Sequence, residues 1–297
     1  MLDKKTNDQI RELPCWSGKI EITPLAGGIT NRNYRVTDRS NQRFVVRIGR
    51  DIPEHGVLRF NELAAARAAY AAGISPEVVF ARGGFLVSRF IVGRTLTPED
   101  VREKHNLKRI VDLVRRCHND IPRYFQGPAL IFWVFQVIRN YLRLLADNDS
   151  NPLDVELDAL ALKNEQLERA LGAVTIVFGH NDLLAANLLD DGARLWLIDW
   201  DYAGFNSPLF DLANLASNNE LTPDLESTLL ESYFGKPVSP ENRRGFAAMK
   251  CASLLRETLW GAVSRITSTI DFDYTSYARQ YFSRFDRMWQ AFETGNG

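Results

Sequence analysis

The sequence predicts a two-lobed α+β protein, with a small β-rich N-terminal lobe and a larger, mainly helical C-terminal lobe. Three observations predict it. Short runs of strand character, separated by Gly-rich turns, crowd the first part of the chain. Helical patterns take over beyond Gly93. Two short apolar strands, Thr175 to Phe178 and Arg194 to Ile198, are embedded among those helices. The expected division is residues 1–92 and 93–297, joined near Ile91 to Gly93. Ligands often sit between two such lobes.

Taken in order, Ile20 to Leu25, Tyr34 to Thr37 and Arg43 to Ile48 read as strands. Ala26 to Asn31 is a turn between the first two. Phe60 to Ala72 is Ala-rich, carries Glu62 in its first turn and meets Gly73, which predicts a helix with a glycine stop. Val78 to Phe80 and Phe85 to Ile91 read as two more strands. Thr97-Pro98-Glu99-Asp100 opens a helix with a cap residue, a first-position proline and acids in the first turn. Val101, Ile110, Val111, Val114 and Cys117 then share one face. Further helices are expected over Phe132 to Ala146, Ala159 to Leu171, Asp224 to Tyr233, Ala247 to Ile266 and Tyr274 to Phe292.

The 297 residues are enough for one large domain or two modest ones with ample core. A hydrophobic fraction of 45%, a charged fraction of 25% and a net charge of −1 fit a soluble globular protein and argue against nucleic acid or an anionic membrane as partner. Cys15, Cys117 and Cys251 are widely spaced and form no CxxC pair, so neither a disulfide framework nor a zinc site is suggested. The polar N-terminus lacks a secretory apolar core, and the most apolar stretch, Ala129 to Val137, is too short to span a bilayer. A cytoplasmic protein with reduced thiols is the expectation. Nothing in the sequence sets its oligomeric state.

The strongest chemical signal is Phe178-Gly179-His180-Asn181-Asp182-Leu183-Leu184-Ala185-Ala186-Asn187, followed by Leu197-Ile198-Asp199-Trp200-Asp201-Tyr202. Two carboxylates and a carboxamide would lie in loops after neighbouring strands. Phosphoryl transfer needs that inventory: a carboxylate to orient or accept the proton of the attacking hydroxyl, and oxygen ligands for Mg²⁺ on the β- and γ-phosphates. Asp182 suits the first job; Asn187 and Asp199 suit the second. Loop Asp and Asn residues also serve as helix caps, but the spaced downstream segments disfavour that reading here. His118-Asn119-Asp120 repeats the triplet with Phe125 at the +5 position, so it reads as an ordinary helix end.

These segments resemble the catalytic loop and metal-binding strand of the choline kinase and aminoglycoside phosphotransferase families, relatives of protein kinases. The run Trp200 to Asn206, then Phe210-Asp211-Leu212-Ala213-Asn214, is especially similar to choline/ethanolamine kinases. The resemblance implies a protein-kinase-like fold with a small antiparallel N-lobe sheet, ATP as co-substrate and Mg²⁺ as cofactor. It implies that His180 and Asp211 steady the catalytic loop. Protein kinases themselves fit less well, because the R of H-R-D, the D-F-G and an A-P-E-like segment are all missing.

Gly27-Gly28-Ile29-Thr30-Asn31-Arg32-Asn33-Tyr34 resembles the G-G-x-T-N-x-x-Y loop of the same family, in which Gly28 allows close backbone approach and Thr30 and Asn31 donate to phosphate. Arg47, in the apolar run Phe44 to Ile48, needs a partner or water, and Glu62 is the natural partner. The family often carries Arg there, where its fork grips the α/β-phosphates. By resemblance, backbone groups of Arg89 and Ile91 meet the adenine edge. Tyr202, Trp260 and Tyr277 match aromatics that face a trimethylammonium group, for which ring faces and nearby acids are the physical means of binding.

The sequence departs from the family at Val263, where a second Trp is common, and at Leu184 and Ala185, where polar residues are common. The expected reaction is therefore transfer of the γ-phosphate of ATP to the hydroxyl of a small amino alcohol, choline or ethanolamine foremost. Another acceptor (an aminoglycoside, thiamine, homoserine or a sugar-like alcohol) or a non-catalytic nucleotide-binding regulator are the alternatives.

Overall fold

A computed structural model describes residues 3–25, 31–148, 150–153 and 155–295. The N-terminal part comprises α1 (Lys4–Arg11), β1 (Ile20–Leu25), β2 (Arg32–Asp38), β3 (Arg43–Ile48), α2 (Arg59–Ala71), β4 (Val78–Arg82) and β5 (Phe85–Arg89). The strands form one antiparallel sheet in the order β1-β2-β3-β5-β4. Alternation drives it: Tyr34 and Val36 of β2 and Phe44 and Val46 of β3 turn to one face. There they pack with Val87 of β5 and with Ile10 of α1. The β2–β3 turn is closed by Asp38, whose carboxylate accepts from the N–H groups of Ser40 (2.9 Å) and Gln42 (3.0 Å).

The C-terminal part comprises β6 (Arg94–Thr95), α3 (Pro98–Arg102), α4 (Lys104–Asp120), α5 (Val134–Asp147), α6 (Leu157–Arg169), β7 (Val177–Gly179), β8 (Leu188–Asp190), β9 (Leu195–Leu197), β10 (Gly204–Asn206), α7 (Pro208–Asn218), α8 (Pro223–Phe234), α9 (Pro240–Thr267) and α10 (Tyr274–Glu293). Helix α9 is its axis. Every residue from Gly245 to Ser264 is buried, which is how a helix surrounded by other helices behaves. α5, α7 and α10 pack around it. Two small sheets, β10-β7 and β6-β8-β9, carry the loops that hold the site.

The expected elements form, with shifted ends and three differences of substance, the first being α7, which was not expected and is capped by Ser207, whose side chain accepts from the Leu209 N–H. The helix opened by Thr97 does not run on: Glu103 is extended (ψ 124°) and separates α3 from α4. The Thr97–Asp100 capping box closes the short helix on itself. Helix α1 was not expected from its polar composition. It forms because Asp3 caps Thr6 N–H (2.9 Å) and because Ile10 has an apolar seat under the sheet.

One partition of the core does not follow chain order. The alanine face of α2 (Ala65, Ala66, Ala68, Ala69) belongs to the large C-terminal core, not to the core under the sheet. Leu255, fully buried at the centre of α9, tests how much that core depends on its axis. Leu255→Ala should cost about 2–5 kcal/mol, read as a lower urea midpoint at an unchanged m-value.

Candidate active site

The loop after β7 is gripped from below by α7. The Asp211 carboxylate accepts the backbone N–H of His180 (2.8 Å) and of Asn181 (2.7 Å), and His118 Nε2 donates to it as well (2.9 Å). One turn along α7, Asn214 Oδ1 accepts the N–H of Leu183 (2.6 Å). Burial alone pushes the Asp211 carboxyl up, but the hydrogen bonds from His118 and the pull of both histidines hold it below its ordinary value. Gly179 permits this close grip, since a Cβ there would lie 3.2 Å from Asp211 Oδ2 and 2.6 Å from Asn181 Oδ1. Asn181 pays the conformational cost with a left-handed backbone (φ 65°). Its amide donates to the Tyr202 carbonyl (2.9 Å), tying the two loops together. Burial pushes the His180 imidazole below its ordinary value, and its Nε2–H donates to the Ile198 carbonyl (3.0 Å).

Held in this way, Asp182 stands at the loop tip with 15% of its side chain exposed. Asn187 closes a short 3-10 turn and donates to the Asp182 carbonyl (2.9 Å). The Ile198 N–H in turn donates to the Asn187 carbonyl (3.0 Å), which sets Asn187 beside the strand end that carries Asp199. Asp199 is solvent-accessible and left-handed (φ 69°). The Asp182 carboxyl is pushed up to about 7, chiefly by burial, with Arg256 pulling it down and Glu257 and Asp201 pushing it up. Enclosure by the cleft, then the Asp201, Asp182 and Glu62 carboxylates, push Asp199 well above its ordinary range, against the pull of Arg47.

Opposite these acids the N-terminal part supplies cations. Arg47 on β3 pairs with Glu62 on α2, as the sequence predicts. Arg59, which sequence reasoning passed over, does more. Its Nη1 reaches Glu62 (2.8 Å) and Asp201 (2.6 Å), and its Nη2 donates to Asn31 Oδ1 (2.8 Å). Asn31 Nδ2 donates to Asp201 (2.9 Å). Asn31 is thus committed to a lobe-bridging network of charges rather than left open to a phosphate, because Arg59 and Asp201 already offer it charged partners. Gly28 and Thr30 lie outside the described residues. Arg89 ends β5; its N–H donates to the Glu77 carbonyl (2.9 Å) and its guanidinium covers Phe44 (5.0 Å). Its side chain is thereby occupied within the N-terminal sheet. Ile91 follows two residues beyond the strand.

The three aromatics come together on the far side of Asp182, but as a closed cluster. Trp260 Nε1 donates to the Tyr202 hydroxyl (2.9 Å), and the Trp260 ring packs against Tyr277 (5.5 Å) and His55 (5.4 Å). Gly261 lets α10 approach: a Cβ there would meet Tyr277 at 2.8 Å. The face of Tyr202 is covered by Arg256, whose guanidinium carbon is 4.2 Å from the ring centroid. Arg256 was also missed; its signal is a charged Arg-Glu pair inside the apolar stretch Leu254 to Trp260.

Among the described residues no group of three His, Cys, Asp or Glu side chains could hold a metal by itself. Asn187 and Asp199 nonetheless fit Mg²⁺. Both offer hard oxygen donors, Asp199 makes no ion pair among the described residues, and three carboxylates crowd it. Mg²⁺ is commonly held by one or two protein oxygens with phosphates completing the shell.

An N-terminal antiparallel sheet carrying an Arg–Glu pair, joined to a larger helical part that carries an acidic loop, is the arrangement of a small-molecule kinase of the protein-kinase-like superfamily. A family model described as choline/ethanolamine kinase matches residues 22–229, and the chain belongs to that family. It is 31% identical over 211 residues to Protein LicA of Haemophilus influenzae, covering 70% of this chain and 61% of that protein's length. It is 29% identical to ethanolamine kinase 2 of Homo sapiens, covering 94% of this chain and 79% of that one. A solved choline/ethanolamine kinase family protein from Mesorhizobium loti shares the fold at a TM-score of 0.78 and 28% identity, covering 97% of this chain and 95% of that one. Choline kinase LicA from Streptococcus pneumoniae has the same fold at a TM-score of 0.79 and 22% identity, covering 97% and 98%.

The Arg59 network makes a direct prediction. Arg59→Met would leave Glu62 and Asp201 facing each other in a buried setting, at a cost of about 3–5 kcal/mol in urea unfolding. Arg59→Lys should recover part of it. A Met variant as stable as the parent would show that the network contributes nothing.

Proposed function

We propose that the chain transfers the γ-phosphate of ATP to the hydroxyl of a small amino alcohol, with Mg²⁺ as cofactor. The convergence of Asp182, Asn187 and Asp199 opposite the Arg47–Glu62 pair carries this reading. Residues 1–92 form the nucleotide lobe and residues 93–297 the catalytic and acceptor lobe. Among the described residues no helix is long and apolar enough to cross a membrane, and a cytoplasmic location accords with the reaction.

Asp182 accepts a hydrogen bond from the acceptor hydroxyl, aims its oxygen at the γ-phosphorus and takes up its proton. A carboxyl pushed up to about 7 is basic enough for that task near neutral pH. Arg47, fixed by Glu62, faces the α/β-phosphates. Arg89 and Ile91 present backbone groups to adenine. Gly28 and Thr30 belong to the phosphate loop, and Asn31 anchors its end to Asp201. Asn187 and Asp199 would hold Mg²⁺, which when bound neutralises charge on the triphosphate. Asp211, Asn214 and His180 contribute by fixing the loop, since alignment supplies much of the rate in phosphoryl transfer. Tyr202, Trp260 and Tyr277 wall the acceptor end. The occupied face of Tyr202 favours an amine with N–H donors over a trimethylammonium group, because the first can bond to oxygens such as those of Glu257, and the second needs open ring faces.

Two substitutions separate the roles. Asp182→Asn should lower turnover roughly a hundredfold to ten-thousandfold while ATP binding, measured by titration calorimetry, stays near the parent value. Asp199→Asn should instead weaken ATP binding in Mg²⁺ and leave binding in EDTA nearly unaltered. Unchanged turnover in the first variant would overturn the assignment of Asp182.

A further inference from the structure

The acceptor end of the cleft contains a cation that belongs to the protein. Arg256 is 2% exposed, and its Nη1 is shared between Glu257 Oε1 (2.5 Å) and, at 3.9 Å, Asp182 Oδ1. The other two nitrogens, Nε and Nη2, are buried and make no hydrogen bond of ordinary geometry, although the Tyr141 hydroxyl lies close enough to the guanidinium to interact with it. They form the edge of the guanidinium that matches two parallel oxygens, the geometry by which Arg holds a carboxylate.

A purely structural role accounts poorly for this arrangement. An ion pair with Glu257 needs only the Nη1 side, and a buried guanidinium with an idle edge is costlier than an apolar side chain of the same volume. Glu257 takes one bond on each oxygen, from Nη1 at Oε1 (2.5 Å) and from the Tyr277 hydroxyl at Oε2 (2.9 Å), and keeps further lone pairs. The unused capacity of the pair is the Nε and Nη2 donors of a guanidinium whose Nη1 lies 3.9 Å from Asp182 Oδ1. An acceptor that sets its hydroxyl against Asp182 places atoms only a few bonds away beside this edge. The same guanidinium lies on the Tyr202 face, where a quaternary ammonium would meet a like charge.

Resting on the kinase reading above, we infer that Arg256 determines specificity by receiving a carboxylate, so that the acceptor is a small hydroxy amino acid. Its carboxylate lies on the Nε/Nη2 edge, its ammonium toward Glu257, and its hydroxyl against Asp182. The chemical step is ordinary: the hydroxyl oxygen bonds to the γ-phosphorus, the bond from that phosphorus to the β-bridging oxygen breaks, and ADP leaves with the electron pair. The hydroxyl proton goes to Asp182. The products are an O-phosphorylated amino acid and ADP.

Matched pairs of acceptors test this, each pair differing by one carboxylate: L-serine with ethanolamine, L-homoserine with 3-amino-1-propanol, and L-threonine with 1-amino-2-propanol. With ATP and Mg²⁺, the full chain should have the higher kcat/KM for the acid in at least one pair. In Arg256→Met the acid-to-amine ratio should fall roughly tenfold to a hundredfold, mainly through KM. Arg256→Lys, which retains the charge and lacks the fork, should fall part of the way and guards against a variant that does not fold. Calorimetric titration of the acids into the ADP–Mg²⁺ complex gives a second readout, expected to be lost in Arg256→Met. The inference is overturned if the amines are preferred in every pair, if Arg256→Met lowers acid and amine equally, or if no acid binds. Turnover of ethanolamine or choline alone would remove this inference and keep the kinase reading. Acid binding that depends on Arg256, without ADP from any alcohol, would do the reverse.

Discussion

Four carboxylates, those of Asp182, Asp199, Asp201 and Glu62, converge on one cleft, and the rest of the structure answers to their mutual repulsion. Three arginines are set among them. Arg47 and Arg59 approach from the N-terminal side and Arg256 from α9. Like charges this close cannot all remain ionised without compensation. The chain compensates three of the four with its own cations and leaves Asp199 without an ion pair among the described residues. Under the proposed reading, charge balance at the strand end would be completed by a metal and a nucleotide, so that a site prepared in this way need not reorganise when the substrate arrives.

The catalytic loop is the second place where this constraint shapes the fold. An acid proposed to act as a base would be a weaker base if hydrogen bonds held its own oxygens. Asp182 is accordingly positioned through its backbone neighbours. Asp211 holds His180 and Asn181, Asn214 holds Leu183, and the Asn187 amide holds the Asp182 carbonyl. Among the described residues the carboxylate itself receives only long contacts, from Asn187 Nδ2 (3.4 Å) and Arg256 Nη1 (3.9 Å). The buried α7 acid does the holding, supported by a buried histidine on α4.

Much of this was legible in the sequence because it is local. The strand pattern of Phe44 to Ile48, the Ala-rich helix with Glu62, and the spacing of Asp182, Asn187 and Asp199 are all properties of short windows. What escaped reading depends on pairings across the chain. Arg59 meets Asp201 142 residues away, and His118 meets Asp211 93 residues away. His118 sits in the repeat of the H-N-D triplet that reads as an ordinary helix end. The helix does end there, yet its histidine supports the loop of the other triplet. Arg256 carried a signal, a charge in an apolar helix, but its meaning lies in the idle edge of its guanidinium, which no spacing encodes. The helix break at Glu103 was hidden for another reason: the apolar face continues across it, so periodicity alone reads one helix where backbone geometry makes two.

The placement of α2 gives the cleft its rigidity. Glu62 pairs with Arg47, yet the helix that carries it rests its alanines on the large core rather than under the sheet. Arg59, three residues earlier, is fastened to Asp201, two residues beyond Asp199. Alanine faces allow close helix approach and carry no rotamer entropy to lose, so the packing is tight and inexpensive. The consequence is that the position of Arg47 relative to Asp182 and Asp199 is set from the catalytic side of the molecule. A helix packed only under the N-terminal sheet would let the cation move with the sheet, and alignment across the cleft would vary with every change in lobe angle. Fastening α2 below removes that freedom for the acid that matters, and the sheet need only bring Arg47 to a partner already in place.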